Sequence, residues 1–148
     1  MDMEQKTGTK NNLFVGTLTH YIMSHHPDRI EDMDFINERA EQAAKDFEVA
    51  SRNSLTVDEA MEVAYNTLFR GLVFSPFLTV KEVVLDLMDY TEEDEELDEF
   101  VLQMLELTRP AFEKWDLNDE FQGTPEYLEL CDEIKLIINQ YLITNGIQ

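Results

Sequence analysis

An all-α fold is predicted for this 148-residue chain by three features. Apolar residues recur every three or four positions, helix-capping residues precede most of these periodic runs, and no stretch keeps the two-residue alternation of a half-buried strand. The periodic runs add up to about six helices. The expected architecture is a compact single-domain bundle, irregular or orthogonal, with residues 1–10 as a flexible N-terminus and residues 11–148 as one helical domain. No internal repeat of solenoid length is visible.

In chain order, Asn12 is placed to cap a first helix whose Phe14, Leu18, Tyr21, Ile22 and His25 share a face, and Pro27 ends it. Asp32 or Asp34 starts a second, with Ile36, Ala40, Ala43, Phe47 and Ala50 inward and acids on the other side, and Asn53-Ser54 closes it. Thr56-Val57-Asp58-Glu59 and Thr79-Val80-Lys81-Glu82 both fit the capping box, in which a threonine hydroxyl and a glutamate satisfy orphan amides reciprocally. The second start also places Leu78 and Val83 at staple spacing. Ala60, Met61, Ala64, Tyr65 and Leu68 form one stripe, and Val80, Val83, Val84, Leu87 and Met88 the next. Gly71 stands where a left-handed helix cap is expected. Between these helices, residues 72–77 are too apolar for a solvated loop and are expected to plug the core, Pro76 barring helix continuation.

Thr91 opens the most biased segment: Asp89 to Glu99 hold eight acids and no base, and the span from Glu82 to Thr108 has no Lys or Arg. These acids are expected in the first turns of a fifth helix, where the positive end of the macrodipole favours them. Its stripe runs through Leu97, Val101, Met104, Thr108, Phe112 and Trp115, with a kink or break near Arg109 because Pro110 lacks the amide that would bond the Glu106 carbonyl. Thr124-Pro125 starts a last helix with Tyr127, Cys131, Ile134, Ile138, Tyr141 and Leu142 inward. Asn145-Gly146-Ile147 ends it as a Schellman-type cap with Ile147 against Leu142.

Composition narrows the function. Thirty-two acids against eleven Lys and Arg leave a formal charge of −21, the reverse of a nucleic-acid-binding footprint. An anionic membrane surface would repel the chain, and no apolar segment is long enough to span a bilayer. The first residues lack the basic-then-apolar order of a secretory signal, so a cytoplasmic location is expected. The one cysteine, Cys131, reads as a small buried hydrophobe. His20, His25 and His26 lack metal-ligand spacing, and Asp116 to Tyr127 fails the calcium-loop pattern, with Phe121 and Tyr127 where glycine and glutamate are required. The five glycines are dispersed and no nucleophile, CxxC or HExxH motif occurs, so neither catalysis nor a cofactor is expected.

Phe35-Ile36, Arg39-Ala40, Ala43-Ala44, Ala60, Glu62, Ala64, Leu68-Phe69-Arg70-Gly71-Leu72, Phe74-Ser75, Pro110, Phe112, Leu117 and Asn145-Gly146 together resemble an uncharacterised family of short acidic helical proteins from anaerobic gram-negative bacteria. The resemblance spans Leu13 to Gln148, and LFRGLVFS, residues 68–75, is its most distinctive piece. It implies an all-helical fold without assigned chemistry and a context of mobile genetic elements. The function expected from residues and resemblance together is a small accessory protein that binds another protein, a basic one, or itself. The alternatives are a DNA-mimicking decoy that occupies a basic nucleic-acid-binding protein, and an enzyme of unrecognised type. The candidate partner-binding residues are Glu92, Glu93, Asp94, Glu95 and Glu96, together with Phe74 and Phe77 of the apolar turn.

Overall fold

A computed structural model describes residues 2–146, with side chains from Lys10 onward. Six α-helices account for most of the chain, which is 74% helical: α1 Asp2–His25, α2 Met33–Arg52, α3 Val57–Leu68, α4 Pro76–Leu87, α5 Leu97–Phe112 and α6 Pro125–Thr144. Short 3-10 turns lie at Pro27–Arg29 and Phe121–Gly123, and no strand occurs among the described residues. Packing divides the chain at Arg70–Gly71 into two compact units.

The first unit packs α2 against both α1 and α3. Phe14, Leu18 and Ile22 of α1, Ile36, Ala40 and Ala43 of α2, and Ala60, Ala64 and Leu68 of α3 are fully buried. The alanines lower the ridges between helices and allow close approach. Helix α1 begins earlier than Asn12, which lies inside it. Residues 2–11 contain no proline that would interrupt it. Asp32 caps α2, its carboxylate accepting the Phe35 amide at 3.4 Å. At the other end Ser54 adopts φ +68°, and the Leu55 amide returns to the Ala50 carbonyl at 3.2 Å, the closure usually supplied by glycine. The capping box of α3 forms in full: the Thr56 hydroxyl accepts the Glu59 amide and the Glu59 carboxylate accepts the Thr56 amide, at 3.2 and 3.0 Å.

The second unit packs α4, α5 and α6 against one another. Phe77, Val80 and Val84, Leu97, Val101 and Met104, and Leu130, Ile134 and Ile138 fill its centre. The apolar turn plugs this core as expected, with Leu72 and Phe74 buried and Phe74 against the rings of Phe121, Tyr127 and Phe112 at centroid distances of 5.2, 6.1 and 6.5 Å. The start of α4 differs from the sequence expectation. Ser75 is the cap, its hydroxyl accepting the Leu78 amide at 3.0 Å, and Pro76 is the first helical residue. Proline has no amide to leave unsatisfied there, so it begins this helix, while no helix runs into it from residues 69–75. Thr79 is therefore a buried interior residue whose hydroxyl donates to the Ser75 carbonyl at 3.0 Å, and Leu78 lies inside the helix, so neither the second capping box nor the staple exists.

Helix α5 starts at Leu97, so Glu92 to Glu95 sit in the turn before it and only Asp98 and Glu99 occupy its first turn. It continues through Pro110 and stops at Phe112, so the break falls two residues beyond the proline. In α6 the inward face centres on Leu130, Ile134, Ile138 and Leu142. Tyr127, Cys131 and Tyr141 are half-buried at its margins, and Leu130 is missing from the sequence-derived stripe. Gly146 has φ +69°, and Ile147 lies outside the described residues.

Candidate functional site: an acidic turn

Between α4 and α5 the chain makes a turn that Asp94 holds together. Its carboxylate accepts the Thr91 amide at 2.7 Å and the Thr91 hydroxyl at 3.4 Å, its own amide donates to the Thr91 carbonyl at 3.0 Å, and the Leu97 amide bonds its carbonyl at 3.2 Å. One of the five candidate acids is thus spent on local structure. Glu92, Glu93, Glu95 and Glu96 remain exposed, and Glu93, Glu95 and Glu96 line, with Asp89, Tyr90 and Asp94, an open concavity of about 550 Å³. Tyr90 is a half-buried wall of it, anchored on Phe100 at a centroid distance of 5.9 Å. Lys81 of α4 pairs with Asp98 in the first turn of α5 at 3.2 Å.

The other two candidates belong elsewhere. Phe74 and Phe77 are 3% and 2% exposed, so they serve the core of the second unit and present no surface to a partner. Alternating burial along residues 72–77 leaves only Val73 outward, 52% exposed. No three His, Cys, Asp or Glu side chains converge on a metal-sized site among the described residues. His26 is buried beneath Tyr21, and His25 stacks on the same ring at 4.0 Å. Burial, followed by its contact with Cys131, pushes the Tyr127 phenol up to about 12. Burial likewise raises the half-buried Cys131 thiol, which keeps it protonated and a poor nucleophile.

Two side chains that motif reasoning left without a role hold the distinctive LFRGLVFS segment. The Arg39 guanidinium donates to the carbonyls of Thr67, Leu68 and Arg70 at 3.1, 3.4 and 2.5 Å, closing the carboxyl end of α3. Arg39 in turn lies over the Phe35 ring, as does Arg29. On the far side of Arg70, the Asp119 carboxylate accepts the amides of Gly71 and Val73 at 2.8 and 3.1 Å, while Gly71 takes φ +80°. The Asp-rich stretch that fails as a calcium loop is therefore a backbone clasp. The motif is structural: each half is tied into its own unit by a charged side chain remote in sequence.

These features define an acidic, all-α protein of two small helical units whose distinctive motif serves the backbone. Residues 9–147 match the family described as a domain of unknown function, DUF1896, and the chain belongs to that family. It is similar throughout to a protein of solved crystal structure, PG0816 from Porphyromonas gingivalis, with a TM-score of 0.86 and 25% identity over 97% of this chain and 98% of that one. A search of the curated proteins finds no match. No helix among the described residues is long and apolar enough to cross a membrane.

Proposed function

We propose that this is a small non-catalytic, cytoplasmic interaction protein whose second unit binds a basic partner protein, with Glu92, Glu93, Glu95 and Glu96 steering the encounter and Tyr90 as an aromatic contact beside them. The observation that carries this reading is the unequal distribution of charge. Nineteen of the thirty-two acids and four of the eleven bases fall in residues 71–148, a formal −15 of the total −21. Charge gathered on one part of a molecule creates a field that accelerates association with an oppositely charged surface and rejects like-charged ones. Solvation alone does not require such a bias.

The test is affinity capture from the native host followed by binding kinetics of the recovered protein with the wild type and with E92Q/E93Q/E95Q/E96Q. That variant keeps Asp94 and so leaves the turn intact. The expected result is a basic partner whose association slows in the variant and in higher salt. A partner that is neutral, or whose kinetics ignore both changes, overturns the reading. Displacement of the partner by duplex DNA would identify the decoy form of the same interaction.

A further inference from the structure

Helix α6 presents a second apolar stripe, on the side opposite its buried one. Leu128, Leu136 and Ile143 are 66%, 69% and 54% exposed, whereas Leu130, Ile134 and Ile138 are fully buried. At about 100° per residue the three exposed side chains fall within one quadrant of the helix, and they span about 22 Å along it. Exposed Asp132 and Asn139 occupy the same quadrant between them. The order Leu, Asp, Leu, Asn, Ile at steps of four, four, three and four residues keeps to one helix face with two polar positions, one residue off the strict three-four alternation of a heptad seam. Scattered single apolar residues on a surface need no explanation, but three in register on one helix face have the spacing of anchors in helix-to-helix recognition.

Charge selects the occupant. Asp132 lies on the stripe and Glu129 beside it, and Lys135, the one base of α6, is paired with Asp86 at 2.9 Å. A second copy of the chain would bring another unit of formal charge −15 against this one. We propose that this face of α6 is a docking stripe for one amphipathic helix of a basic partner protein, whose apolar anchors meet Leu128, Leu136 and Ile143 and whose lysine or arginine meets Asp132. The proposal rests on the reading of the protein as a binder of basic partners and gives that reading a contact surface beyond the acidic turn.

The test uses the full chain and a fluorescein-labelled synthetic helix of about 22 residues, leucine at heptad seam positions and lysine elsewhere, against a scrambled peptide of the same composition. The expected result is binding roughly tenfold tighter for the amphipathic peptide. That advantage disappears in L128S/L136S/I143S, whose circular dichroism stays helical because all three side chains are exposed. D132K, a second variant, weakens the amphipathic peptide more than the scrambled one. Equal binding of the two peptides, or full binding by the triple variant, overturns the stripe. So does sedimentation showing a wild-type dimer that the triple variant abolishes. If both peptides bind equally with strong salt dependence, the basic-partner reading survives without this surface. If neither peptide binds at low salt, both fall.

Discussion

Asp119 and Tyr127 are residues whose environments give them measurable consequences. Asp119 accepts two backbone amides that have no other acceptor in their turn, and hydrogen bonds to a charged acceptor contribute about 1.5–3 kcal/mol when shielded from water. Because Asp119 is only half-buried, Asp119→Ala is expected to lower unfolding free energy by about 1–2 kcal/mol. Asp119→Asn, which keeps one acceptor, should lose about half of that in urea titrations. Equal stability of all three would show that water replaces the carboxylate. Tyr127 yields a pH prediction. Its folded pKa is raised to about 12 from 10.0, chiefly by burial, so the fold binds the phenol proton more tightly than the unfolded chain does. The resulting stabilisation is fully present below pH 10 and is lost as pH rises from there through about 12. Tyr127→Phe should flatten the fall in melting temperature across that window and remove a late-titrating component from the phenolate absorbance.

Helix starts are where element-scale reasoning divides. At α3 the Thr56–Glu59 box reads correctly from sequence because the cap-type residues just upstream, Asn53 and Ser54, are already used to close α2. At α4 the same signature at Thr79 is overridden by Ser75-Pro76, a cap followed by the residue best suited to the first helical position, and the buried Phe77 makes that extra turn worthwhile. Ser75→Ala is accordingly expected to cost about 1 kcal/mol by loss of the bond to the Leu78 amide. Glu82→Ala, which would remove the reciprocal acceptor of a real second capping box, should leave stability within about 0.5 kcal/mol. Thermal melts of the two variants distinguish the two starts, and the reverse order would restore Thr79 as the cap. The acidic turn is a further case. Eight acids in sequence suggest a dipole-stabilised helix start, yet the Asp94 carboxylate bonds the Thr91 amide and closes a turn first.

At the scale of the molecule, self-repulsion is the dominant long-range effect. With a formal −21, raising sodium chloride from low ionic strength to about 0.15 M, where the Debye length is about 8 Å, should raise the melting temperature. Since the charge is concentrated in residues 71–148, amide hydrogen exchange should register larger salt protection in α4, α5 and α6 than in α1, α2 and α3. A uniform response, or a falling melting temperature, would mean that local ion pairs such as Lys135–Asp86 and Lys81–Asp98 outweigh the net repulsion.

The sequence by itself determined the helical class, the six segments and most of their inward faces, because helical periodicity is a local property written residue by residue. The family was legible too, through LFRGLVFS and the alanines of α2. The role of that motif, the burial of Phe74 and Phe77, the working cap at Ser75 and the turn held by Asp94 were decided by tertiary structure or by competition between neighbouring caps. Arg39 lies some thirty residues from the carbonyls it closes, and Asp119 nearly fifty from the amides it holds. No local pattern encodes such pairings, because the energy that selects them comes from backbone groups that meet only once each unit has packed.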